Sequence, residues 1–155
     1  MKLKISKTKQ DVAENFSKYL AKFISDREEI HIALSGGSTP KIVFDELAEN
    51  FQEDIDWNNV HLYWGDERCV EPTDDQSNYK MTFEHLISKI DIPKENIRRI
   101  KGENNPEYEA ERYAELLDEA LPKANELPQF DLVILGMGDD GHTASIFPHE
   151  IELWD

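Results

Sequence analysis

Apolar residues recur along the first third of the chain at the spacing of a helix. Val12, Phe16, Leu20, Phe23 and Ile24 fall on one stripe within residues 8–28, with Lys, Glu and Asp on the opposite side. The period then changes. Ile30-His31-Ile32-Ala33-Leu34 is short and partly β-branched, and it runs directly into Ser35-Gly36-Gly37-Ser38-Thr39-Pro40. This predicts a strand, a glycine loop, and a helix with Thr39 as N-cap and Pro40 at its first position. Ile42, Val43, Phe44 and Leu47 give that helix its apolar face.

The pattern recurs. Val60-His61-Leu62-Tyr63-Trp64 predicts a strand, Gly65-Asp66-Glu67-Arg68 a turn, and Ser77 the cap of a helix through Tyr79, Phe83, Leu86 and Ile87. A short extended piece follows at residues 97–100. An acidic helix from Pro106 to about Leu117, mostly a solvated face, stops before Pro122. A third unit opens with Phe130-Asp131-Leu132-Val133-Ile134-Leu135, continues through Gly136-Met137-Gly138-Asp139-Asp140-Gly141, and ends in a helix-like Thr143-Ala144-Ser145-Ile146-Phe147.

Three strand–loop–helix units with nearly continuous apolar strands predict an α/β fold, a Rossmann-like parallel sheet with helices on both faces. Ligands bind such sheets at the carboxyl ends of the strands, where the loops at 35–39, 65–68 and 136–142 all lie. The chain stops at Trp154-Asp155, a turn or two into the third helix. A doubly wound sheet continues beyond such a point, so residues 1–155 are expected to be a single domain's N-terminal two-thirds, the sheet incomplete at its C-terminal side.

Composition narrows the function. Against 33 Asp and Glu stand 17 Lys and Arg, a formal net charge of −16, which repels nucleic-acid backbones and anionic membrane surfaces. Seven Phe, five Tyr and three Trp can still build a core. The single cysteine, Cys69, excludes an intramolecular disulfide and a cysteine-rich metal site. No signal-peptide pattern and no membrane-length apolar run is visible, so a cytoplasmic location is expected.

Each loop carries candidate chemistry beside a plainer reading. The 35–39 loop joins two glycines and several hydroxyls to the free N–H groups of a helix start, a combination that suits a phosphate monoester; the alternative is a tight turn with a cap. Gly136-x-Gly138-x-x-Gly141 has the spacing of a dinucleotide fingerprint. That reading fails, because Asp139 and Asp140 would face a pyrophosphate and too few residues follow Gly141 to supply the ribose-binding acid. His142 follows this turn at the start of the expected helix, whose dipole favours the neutral imidazole that a general base needs. Asp139 or Asp140 is placed to orient its ring. The alternative is a histidine that only caps a helix. Arg68 supplies a cation at the ligand edge, or else a surface salt bridge. His31 and His61 lie inside strands and read as satisfied core groups, and Cys69 as a packed or surface thiol. Asp139, Asp140, His142 and His149 lack the spacing of a metal site.

Taken together these segments resemble the 6-phosphogluconolactonases. The resemblance lies in Leu34-Ser35-Gly36-Gly37-Ser38-Thr39-Pro40, in Tyr63-Trp64-Gly65-Asp66-Glu67-Arg68 with Ser77-Asn78-Tyr79 and Met81, and in the run from Leu135 through Gly141-His142-Thr143-Ala144-Ser145-Ile146-Phe147-Pro148. It implies hydrolysis of 6-phospho-D-glucono-1,5-lactone to 6-phosphogluconate in the oxidative pentose phosphate pathway, with no metal or organic cofactor. It also implies that Ser35, Gly36, Gly37, Ser38 and Thr39 hold the phosphate and that Arg68 helps bind the substrate. His142 would activate the attacking water with Asp140 as its helper. Two rivals remain. Glucosamine-6-phosphate deaminase/isomerase shares the fold but reads closer to Asp-Glu-Tyr at residues 66–68 and Gly-His-Ile-Ala-Phe at 141–145. A non-catalytic sugar-phosphate-binding module would keep the 35–39 loop without needing His142.

Overall fold

A computed structural model describes residues 2–150. In chain order it contains α1 (Lys9–Ser25), β1 (Ile30–Leu34), α2 (Ser38–Asn50), β2 (Val60–Trp64), α3 (Asn78–His85) and β3 (Ile97–Arg98). Then come α4 (Pro106–Ala120), β4 (Lys123–Ala124), β5 (Leu127–Pro128) and β6 (Leu132–Val133). One sheet has the order β3-β2-β1-β6 with every pairing parallel, and β4 and β5 form a separate antiparallel ladder. The expected α/β architecture, a Rossmann-like parallel sheet with helices, is the one observed.

β1 and β2 run in register from Ile30 opposite Val60 to Leu34 opposite Trp64. Alternate side chains point to opposite faces, so Ile30, Ile32 and Leu34 join Val60, Leu62 and Trp64 on one face. They build the main core with Leu20 and Ile24 of α1 and with Phe44 and Leu47 of α2. On the other face the His31 ring lies 3.1 Å from the Tyr63 hydroxyl, and His61 Nε2 lies 2.9 Å from Glu29. Both histidines are thus satisfied structural groups, and burial pushes both imidazoles toward the neutral form.

Four local readings need correction. First, α1 buries Ala13, Ser17, Leu20, Ala21 and Ile24, while Val12 is exposed. Its inner face is rotated toward small residues, which lets α1 lie close against α2. Second, α2 starts at Ser38 with Gly37 as N-cap, not at Pro40 with Thr39 as cap. Gly37 adopts φ +108°, a region natural to glycine, so the chain turns into the helix earlier than Thr39 suggests. Pro40 is still within the first turn, where no backbone donor is required of it. Third, α4 extends to Ala120, and Glu109 on it is buried rather than solvated. Its carboxylate accepts from Lys101 N (2.7 Å), Asn104 Nδ2 (2.8 Å) and Arg112 Nε (2.8 Å). The Arg112 guanidinium, chiefly, holds the Glu109 pKa down at about 2.

Fourth, the third unit is reduced. Its strand is Leu132–Val133, and residues 143–147 form no helix. Ala144 takes a positive φ of 50°, and Thr143 and Ile146 exchange backbone hydrogen bonds of 3.2 and 2.9 Å in a tight turn. His142 therefore does not sit at a helix N-terminus, and the dipole argument for its neutral form falls away. Among the described residues no helix is long and apolar enough to cross a membrane.

Candidate active site

The loops after β1, β2 and β6 meet at the carboxyl edge of the sheet, as parallel strands require. Gly65 N donates to Leu34 O (2.9 Å) and Ile134 N to Ala33 O (2.9 Å), so both outer loops are tied to β1 just before its glycines. Together they enclose an open cleft of about 210 Å³. Ser35 through Thr39 line one wall, Asp66, Arg68 and Asn78 a second, and Gly136, Gly138 and His142 a third.

The first wall has the chemistry that suits an anion. No side chain caps the N-terminus of α2, and no acidic residue lies in its first turn. Its leading N–H groups and the positive end of its dipole are left facing the cleft. Gly36 is needed for a close approach, since a Cβ there would stand 1.9 Å from the Asn78 side-chain oxygen. Arg68 is the only Lys or Arg lining the cleft among the described residues, and its guanidinium makes no ion pair there.

The third wall holds the histidine by local bonds. Gly138 N donates to His142 O (2.8 Å) and Thr143 Oγ1 to Gly136 O (2.8 Å). His142 Nδ1 lies 2.5 Å from Asp140 Oδ1, and its ring stacks on Phe147 at 4.8 Å. The hydrogen bond from the imidazole holds the Asp140 carboxyl below the usual carboxylate range. An ionised Asp140 accepts the proton on Nδ1, which leaves Nε2 as the ring's basic atom.

Ser35, Gly36, Gly37, Ser38, Thr39, Arg68 and His142 line the cleft, whereas neither Asp139 nor Asp140 does; Asp140 reaches it through His142. The ring's hydrogen-bonded carboxylate is that of Asp140 rather than Asp139. The candidate metal group does not form: among the described residues no three His, Cys, Asp or Glu converge on one point. Cys69 is exposed.

Two cleft residues had no role assigned from sequence. Asn78 donates to Asp66 O (3.2 Å), and Asp66 Oδ2 accepts from Ser145 Oγ (3.1 Å), which bridges the second loop to the third. Asn78 follows the Ser77 cap and falls within the Ser77-Asn78-Tyr79 stretch of the resemblance, but neither signal gave it a role. Nothing in the letters pairs Asp66 with a residue 79 positions away.

Fold and cleft define an α/β protein with an uncapped helix N-terminus and a carboxylate-oriented histidine at the edge of a parallel sheet. Over residues 4–155 the chain matches, and belongs to, the family described as glucosamine-6-phosphate isomerases/6-phosphogluconolactonase. A 6-phosphogluconolactonase of Treponema pallidum (strain Nichols) is 46% identical over 132 residues, covering 85% of this chain and 55% of that protein. One of Haemophilus influenzae is 50% identical over 127 residues, covering 81% and 53%. The crystal structure of 6-phosphogluconolactonase from Thermotoga maritima shares 35% identity with a TM-score of 0.79, covering 96% of this chain and 64% of that one. The chain thus spans little more than half the length of the curated relatives it matches.

Proposed function

We propose that this chain carries the phosphate-binding and catalytic loops of a 6-phosphogluconolactonase, which opens 6-phospho-D-glucono-1,5-lactone to 6-phosphogluconate. The observation that carries the reading is the meeting of the bare α2 N-terminus, Arg68 and the His142–Asp140 pair in one cleft. In this reading the phosphate sits on the N–H groups and hydroxyls of the 35–39 loop, with Arg68 adding a charge-assisted contact. The sugar then spans toward His142. Nε2 of the neutral imidazole takes a proton from water as the oxygen attacks the lactone carbonyl, and the Asp140 carboxylate stabilises the imidazolium that forms. The ring oxygen leaves with that proton, giving the open acid.

The deaminase/isomerase alternative is not favoured, since the close relatives above are named as lactonases. The test generates the lactone in situ and follows its decay against the spontaneous rate. Acceleration that disappears in His142→Ala supports the reading. Tight binding of 6-phosphogluconate without acceleration, indifferent to His142→Ala, points instead to a silent sugar-phosphate module.

A further inference from the structure

Two helices, α2 and α3, begin at the carboxyl edge of the sheet, and their N-termini are treated in opposite ways. That of α2 is bare. That of α3 is filled from within the chain. Glu67 Oε1 accepts from Asn78 N (2.7 Å) and from Arg68 N (2.8 Å). Glu67 Oε2 accepts from Tyr79 N (2.8 Å) and Ser77 Oγ (3.1 Å). A carboxylate is acceptor-only and has about four lone-pair sites, so the group is fully used. Its negative charge also lies where the α3 dipole favours it.

Of the four residues held by these bonds, Arg68 and Asn78 line the cleft. Asn78 packs its side-chain oxygen against Gly36 of the phosphate loop and donates to Asp66. The Glu67 carboxylate therefore clamps the second loop onto α3, beside the Asn78–Asp66 hydrogen bond, while fixing what both present to the first loop.

We propose that Glu67 is a positioning residue for phosphate recognition: it fixes Arg68 and Asn78 in the cleft and, by filling the α3 N-terminus, leaves that of α2 as the anion site. The proposal rests on the sugar-phosphate reading of this cleft. Gln in its place would turn an NH₂ group toward N–H donors, and Asp would fall one methylene short of them.

The experiment measures 6-phosphogluconate affinity by calorimetry for the wild type, Glu67→Gln, Arg68→Ala and the double variant. Glu67→Gln should weaken binding about tenfold, the scale of one charge-assisted hydrogen bond. Because Glu67 acts partly through Arg68, the double variant should lose less affinity than the product of the two single losses, a result that general loosening of the fold would not produce. Glu67→Asp should recover part of the loss, and it serves as the probe if Glu67→Gln does not fold. Unchanged affinity in Glu67→Gln, or losses that multiply in the double variant, overturns the proposal.

Amide exchange on the ligand-free protein separates this idea from the functional reading. In Glu67→Gln the Asn78 and Tyr79 amides should lose protection while those of β1 keep it. If the wild type does not bind 6-phosphogluconate, the functional reading falls, and exchange decides the positioning role alone: undiminished protection at Asn78 and Tyr79 overturns it, and selective loss sustains it.

Discussion

The 35–39 loop leaves a five-residue strand that is buried throughout and enters a 13-residue helix, whereas the 136–142 loop leaves a two-residue edge strand and runs into a tight turn at residues 143–146. The same contrast separates the flanks of the sheet. Beyond β2, the Tyr113 hydroxyl of α4 accepts from Trp64 N (3.0 Å) and donates to Trp64 O (3.2 Å), which pins α4 to the strand. Beyond β1, Val133 and Leu135 are exposed. The difference shows two ways of holding a loop at the cleft: the 35–39 loop is positioned by what lies beneath it, the histidine loop by hydrogen bonds within itself and to Asp66.

The largest effect should come from undermining the first loop. Phe44 is 1% exposed beneath α2. Phe44→Ala should cost about 3–5 kcal/mol of stability, read from urea unfolding. A loss under 1 kcal/mol would mean that the 35–39 loop has no rigid foundation and the contrast is false.

Next comes the α4 flank, tested by acid. Glu109 has a folded pKa of about 2 against an ordinary 4.5. A depressed folded value means that its stabilisation is complete above the unfolded pKa and is lost as pH falls from about 4.5 through about 2. From the size of that shift, Glu109→Gln should remove about 3 kcal/mol near neutral pH, as an order of magnitude. Its unfolding free energy should then vary less with pH than the wild type's below pH 4.5. Parallel pH profiles would show that Glu109 does not secure this flank.

How much of this was legible in the letters follows from the range of the forces involved. β1, β2 and the Ser77 cap were readable because burial on a central strand and capping are local matters of residue type. The start of α2 was misplaced because it depends on the positive φ of Gly37, which no neighbouring residue announces. Residues 143–147 have a helix-like composition, yet Thr143 bonds to Gly136 and Ser145 to Asp66, and these tertiary bonds override the local preference. The candidate site residues were proposed through glycine loops and through resemblance. Glu67, Asn78 and Asp66 escaped because their partners lie 10 to 79 residues away with no period to betray them.

The histidine loop should separate chemistry from stability. His142 retains 34% of its side-chain exposure, and its partners are in its own loop. His142→Ala should lower lactone turnover at least 10²-fold, equivalent to about 2.7 kcal/mol of transition-state stabilisation. Its urea midpoint should stay at the wild-type value. A loss of turnover accompanied by a large fall in midpoint would make His142 a structural residue, and the loop would then be anchored like the first.

The smallest effect sharpens the comparison most. Leu34 at the end of β1 is 3% exposed, and Leu135, on the segment leaving β6 one strand away, is 61% exposed. The same substitution therefore removes a core group at one site and a solvated one at the other. Leu135→Ala should change unfolding free energy by no more than about 0.5 kcal/mol, whereas Leu34→Ala should cost about 2–5 kcal/mol. Measured together under one denaturant series, the pair cancels errors of extrapolation that affect both. Should Leu135→Ala cost more than about 2 kcal/mol, Leu135 is covered in solution, because a solvated side chain has no packing to lose. A concentration-dependent midpoint would then identify the cover as a second copy of the chain, and the β6 flank would be an interface rather than an open edge.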